Sequence, residues 1–164
     1  MLKQISPLDG YEVAKAAPSA FTGGTANTRG DSAGSDAAHT LFQVNGEVIV
    51  RVFGVCTVSL EGSGTLEVGV AGNTAVLIPQ STGTDLDAGD VWVDATPAEV
   101  GAVLLSAVPA ATLIVNGADI IETTATADIT AGNIYYICLW KPLSSGATVK
   151  GLPITEGATT RFDQ

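Results

Sequence analysis

Asp85-Leu86-Asp87-Ala88-Gly89-Asp90 is the stretch of this sequence nearest to a recognisable piece of chemistry, because spaced carboxylates around a glycine turn can wrap a hard cation such as calcium. The register departs from an EF-hand loop. Glycine stands fifth where the sixth place is required, and Thr96, at the twelfth place, cannot supply the bidentate carboxylate. Asp85, Asp87 and Asp90 are therefore expected to be solvated turn acids that help solubility and open the next strand, with calcium the lesser alternative. No cofactor is expected.

Other chemical groups are few. The single histidine, His39, sits between Ala38 and Thr40 at the start of an apolar run and is read as a surface or satisfied structural residue. No catalytic residue is assigned, and the chain is expected not to be an enzyme. Gly62-Ser63-Gly64 and Gly23-Gly24 lack the lysine and following helix of a phosphate-binding loop. Arg29-Gly30-Asp31 spells an integrin-type adhesion tripeptide, a three-residue match that arises often by chance. Cys56 and Cys138 are read as two buried thiols rather than a disulfide, since nothing in the sequence gives an oxidising address.

These residues belong to a chain of 164 residues with 46% hydrophobic but only 5% aromatic content, enough for the core of one globular domain. Seven basic against seventeen acidic residues leave a net charge of −10, which disfavours nucleic acid as a partner because phosphate contact needs clustered Lys and Arg. The excess is localised. Residues 1–36 carry four acids against three bases and residues 142–164 balance, so residues 37–141, with eleven acids against Arg51 and Lys141, hold a net −9. Met1-Leu2-Lys3-Gln4-Ile5-Ser6-Pro7 lacks an apolar core of signal-peptide length, so no leader is expected. Val100 to Val115 is interrupted by Gly101, Ser106, Pro109 and Thr112; it is read as two buried strands and a turn, with no membrane partner.

Three segments follow from composition. Residues 1–36 contain a small polar run from Thr22 to Ser35 and are expected to form an extended arm anchored by Tyr11, Val13 and Phe21, dispensable for folding and free to dock on a neighbour. Residues 37–143 read as β throughout, and residues 144–164 as a tail or last strand. Asn45-Gly46 and Asn116-Gly117 carry the strongest two-residue hairpin signal. Val48, Val50, Val52, Cys56, Val58 and Leu60 alternate on one face of a long strand, with Gly54 as a bulge or bend, and Pro79 ends a later strand. Pro97 to Val100 could make one helical turn. In the last long strand Tyr136 and Trp140 share one face, and Tyr135, Ile137 and Leu139 the other. Tyr135 and Trp140 are the candidates for a subunit or glycan contact. Eight or nine short strands with regular turns predict an all-β antiparallel sandwich, with a jelly roll as the topology.

One internal repeat sharpens this. Thr84-Asp85-Leu86-Asp87-Ala88-Gly89-Asp90-Val91-Trp92 and Ala127-Asp128-Ile129-Thr130-Ala131-Gly132-Asn133-Ile134-Tyr135 align position for position. In both, the aliphatic residue is expected to plug the end of the sandwich and the glycine to supply the turn.

The aliphatic-x-Ala-Gly-Asp-Val-Trp pattern is similar to the turn before a core strand in jelly-roll domains of the complement-C1q and tumour-necrosis-factor type, which form trimers. Residues 37–143, rich in Gly, Ala, Thr and Val and preceded by a low-complexity arm, resemble small tailed-phage virion proteins of the head-decoration type. The resemblance implies a non-enzymatic, acidic structural protein of the virion that forms a homotrimer and binds the outside of a phage capsid through its major capsid protein. The alternative is a carbohydrate- or receptor-binding module of a tail or fibre, with Trp92 or Trp140 in the binding face.

Overall fold

A computed structural model describes residues 10–33, 37–97 and 113–152. Ten strands run β1 (Glu12–Ala16), β2 (Ala38–Asn45), β3 (Glu47–Glu61), β4 (Thr65–Val70), β5 (Asn73–Thr82), β6 (Val91–Trp92), β7 (Leu113–Asn116), β8 (Ile120–Ala125), β9 (Ala131–Pro142) and β10 (Thr148–Gly151). They form two antiparallel sheets packed as a sandwich. The first has the order β1-β9-β3-β6, with β7 also paired to β3; the second has the order β10-β2-β8-β4-β5. Pairing is nested outward from the β4–β5 hairpin: β3 pairs with β6, β2 with β8 and β1 with β9.

Period-2 alternation positions the core. Along β3, Val48, Val50, Val52, Gly54 and Cys56 face inward, and along β9 Ile134, Tyr136, Cys138 and Trp140 do the same. Val58 does not continue the inward row. The register with β9 slips between Cys56 and Val58, so an extra residue turns Val58 out to 56% exposure, and a second slip before Glu61 brings Leu60 back into the core. Gly54 is not the bend. It pairs with both Trp92 and Tyr136, whose ring centroids lie 6.4 Å apart; a Cβ there would stand 3.1 Å from the Tyr136 ring.

Both Asn-Gly turns take positive φ, 73° at Gly46 and 68° at Gly117, but neither closes a hairpin. β2 and β3 lie in different sheets, as do β7 and β8. The turns are corners that carry the chain across the sandwich, and they touch: the Gly117 N–H donates to the Gly46 carbonyl at 3.1 Å. Pro79 lies within β5 rather than ending it. β5 is an edge strand whose register with β4 shifts between Leu66 and Val68, a setting where the missing N–H of proline is tolerated. The expected turn at Pro97 to Val100 and the first of the expected strands in Val100 to Val115 fall outside the described residues, save Pro97 and β7 itself. In the C-terminal segment β10 adds a last strand beside β2. Among the described residues no helix is long and apolar enough to cross a membrane.

The segment expected to be a separate arm is part of the domain as far as it is described. β1 lies along β9, with Val13 opposite Leu139. Phe21 is buried at 1% exposure and donates its N–H to the Gly132 carbonyl, while Gly23 N–H reaches the Ile129 carbonyl. The small residues that offer little to a core are the ones that let this backbone lie close against its neighbours: a Cβ on Gly23 would stand 2.4 Å from the carbonyl oxygens of Gly30 and Ile129.

Candidate functional site

The most elaborate side-chain cluster lies between the sheets. Arg29 enters from the N-terminal segment and donates from Nε and Nη2 to the two carboxylate oxygens of Glu122 on β8, at 2.8 and 2.7 Å, with both side chains 1% exposed. Tyr136 on β9 donates its hydroxyl to Glu122 Oε2. Nη1 reaches the Ser19 carbonyl at 2.6 Å, and the guanidinium carbon stands 3.7 Å from the centre of the Phe21 ring. Desolvation of the neutral phenol's anion, reinforced by the Glu122 charge, pushes the Tyr136 hydroxyl well above its ordinary pKa. Burial opposes the charge on Arg29, yet the Glu122 carboxylate and its hydrogen bonds hold the guanidinium protonated, with its pKa raised. No sequence motif marks this trio. Arg29 and Glu122 are 93 residues apart and Tyr136 lies 14 further on, and only the fold assembles them.

The same burial disposes of the adhesion tripeptide. Arg29 is 4% and Asp31 8% exposed, and the Asp31 carboxylate accepts the N–H groups of Asn27 and Ala33. A pattern the sequence reading passed over, Gly30-Asp31-Ser32-Ala33-Gly34, has the spacing of a nucleophile elbow. Gly34 lies outside the described residues, and no strand precedes Ser32 directly. Ser32 gives both its hydroxyl and its N–H to Asp128 Oδ1, at 2.7 and 2.8 Å, and these bonds hold the Asp128 carboxyl below its usual range, which weakens it as a base.

The nine-residue repeat is a structural device on both sides of β3. Leu86 and Ile129 are fully buried plugs, and Gly89 and Gly132 take φ of 103° and 105°. Val91 and Tyr135 then flank the same residue, Val55. Asp90, 4% exposed, spends its carboxylate on the Asp87 N–H at 2.9 Å, while Asp85 and Asp87 are exposed. Among the described residues no three His, Cys, Asp or Glu side chains gather to hold a metal ion. Cys56 and Cys138 are free buried thiols, and burial pushes them up to about 11 and about 12.

The surface divides by sheet. The outer face of the second sheet is mostly polar, with Gln43, Asn45, Glu67, Thr123 and Lys150. The outer face of the first is apolar: Ile49, Phe53 and Val55 from β3 stand beside Tyr135, Ile137 and Leu139 from β9, and Val13 on β1 is 58% exposed. Tyr11 lies over this face with its ring centre 4.3 Å from Lys141 Nζ and 5.7 Å from the Arg51 guanidinium carbon. Lys15, Arg51 and Lys141 belong to it, three of the five basic side chains described; Arg29 is buried and Lys150 is on the other sheet.

Of the five residues expected to make contacts, Tyr11, Val13 and Tyr135 lie on this face, Tyr11 at the Lys141 end and Tyr135 towards the other end of β9. Phe21 and Trp140 do not. Phe21 packs under Arg29, and Trp140, on the inward parity of β9, is 6% exposed. Trp92 is fully buried, donating Nε1 to Ser81 Oγ at 2.8 Å, so neither tryptophan can stack on a sugar. His39 opens β2, in register with Glu122.

No family model matches the chain, and no curated protein or solved structure was found to be similar to it.

Proposed function

We propose that this chain is a non-enzymatic structural protein of a phage virion, a homotrimer that binds the outer surface of the capsid and stabilises or decorates it. The observation that carries the reading is the contrast between the two sheets: one outer face is mostly polar, the other an apolar surface bearing exposed Val13 and partly buried Phe53 and Tyr135. Large apolar faces of this kind are used for contact with other proteins, at about 25 cal/mol per Å² removed from water. The nested strand pairing supports the jelly-roll reading, since a long antiparallel ribbon rolled on itself gives that order. A net charge of −10 suits the outside of a particle rather than contact with packaged DNA. Repeated copies on a lattice add avidity to each weak contact.

The competing reading, a glycan-binding module, has a candidate location among the described residues. An open groove of about 350 Å³ on the second sheet is lined by Gln43, Asn45, Asp119, Thr148 and Lys150. It contains no aromatic platform, which counts against it. Particles produced without this protein, incubated with the purified chain and pelleted, decide between the two. Saturable co-sedimentation unaffected by free sugars is the expected result; no binding to particles overturns the capsid reading.

A further inference from the structure

We propose that the outer face of the first sheet receives the acidic β5–β6 rim of a second copy of this chain, so that copies join face to rim around a closed ring. This rests on the oligomer reading above and adds which two surfaces meet. Arg51 and Lys141 bracket Tyr11 in the middle of the face, surrounded by Ile49, Phe53, Ile137 and Leu139. Among the described residues neither cation forms a salt bridge, and Nε of Arg51 is shielded from water without an acceptor. Two cations without a counter-ion on an apolar surface, in a chain of net charge −10, make this the patch whose sign opposes the rest of the molecule.

The complementary surface is on the chain itself. Asp85 and Asp87 are exposed in the loop after β5, and Asp94 is exposed just past β6, which lies at the end of the first sheet's strand order. A two-fold pairing of the face with itself would set its central cations mainly against apolar and cationic neighbours, with exposed Glu47 the acid that shares their parity on β3. A heterologous contact sets them against carboxylates instead, and such a contact either closes into a ring or continues as a filament. Closure at three copies agrees with the homotrimer proposed above.

The test is sedimentation velocity on the full chain and on three charge-reversed forms: Arg51→Glu with Lys141→Glu, Asp85→Lys with Asp87→Lys, and all four together. The unmodified chain is expected to sediment as a closed oligomer, and each pair alone as the 16.5 kDa monomer, with association weakened at least about tenfold. The fourfold form is expected to regain the oligomer. Buried Trp92 and Trp140 report by fluorescence that each variant is folded. Raising the salt on the unmodified chain supplies the same reading without any variant, since an oligomer held by these pairs weakens as they are screened. A folded Asp85→Lys, Asp87→Lys chain that stays fully oligomeric, or an oligomer indifferent to salt, overturns the face-to-rim contact alone. An unmodified chain that is monomeric at high concentration overturns the oligomer reading with it.

Discussion

Arg29 and Glu122, 93 residues apart, meet in a two-pronged ion pair closed from water on both sides. Glu122 belongs to the second sheet and its other partner, Tyr136, to the first, so the guanidinium fastens the N-terminal segment at the seam of the sandwich. Removing one partner strands a buried charge. Arg29→Met is expected to lower unfolding free energy by about 3–5 kcal/mol, and Arg29→Met with Glu122→Leu to recover much of that loss. Urea unfolding of the single and double variants checks both numbers.

The same pair argues against the expectation that residues 1–36 can be deleted without harm. Deletion removes Arg29, Phe21 and β1 together, leaving Glu122 unpaired and the edge of β9 bare. A chain beginning at residue 37 should lack a cooperative thermal transition, which circular dichroism would register.

The two glycines of the repeat separate conformation from space. Both hold φ near +100°, but a Cβ on Gly89 meets nothing within 4 Å, whereas one on Gly132 would stand 2.5 Å from Leu60 Cδ2 and 2.6 Å from the Ser59 carbonyl. Gly89→Ala pays only backbone strain, about 1 kcal/mol. Gly132→Ala adds a clash and should cost about 1–3 kcal/mol more, read as a lower urea midpoint.

Alkali should unfold the protein through groups that must stay protonated. Tyr136 has a folded pKa raised above its unfolded value near 10, so its contribution is complete below about pH 10 and is lost as pH rises from there towards the folded pKa. Cys56 and Cys138, raised to about 11 and about 12 from 9.0, act in the same direction from pH 9.0 upward. Stability measured between pH 8 and 11 should therefore fall, and Tyr136→Phe should flatten the part of the slope above about pH 10.

The thiols also make a kinetic prediction. Only the thiolate attacks a disulfide reagent, and at about pH 8 these buried groups are almost wholly protonated. The native chain should leave both cysteines unreacted on a timescale that labels the denatured chain completely.

How much was readable beforehand follows the range of each interaction. Alternation along β3 and β9 is local, and it separated Tyr136 and Trp140 from Tyr135, Ile137 and Leu139; which of the two faces is buried is decided by the other sheet. Asn45-Gly46 and Asn116-Gly117 specify a positive φ, which the chain adopts, but the partner of the following strand is a tertiary matter, and both turns became corners between sheets. Val58 followed the alternation in sequence and left it in space, because a bulge is set by the register of β9 rather than by β3 itself. Arg29 was hidden inside a small polar run that looked unable to contribute to a core. What made it readable only in three dimensions is that its partners, Glu122 and Tyr136, lie in strands drawn from the far end of the chain. Of the residues expected to make contacts, Phe21 and Trp140 are buried: nothing local marks the burial of an aromatic in a small polar run, whereas Trp140 shares the parity of Tyr136 and its burial follows from the same alternation.

The central claim is a structural place on the outside of a phage particle, and copy number tests it most directly. Quantitative mass spectrometry of purified particles should find this chain in a fixed ratio close to that of the major capsid protein. A few copies per particle would contradict lattice decoration, and absence from particles would contradict the virion assignment itself.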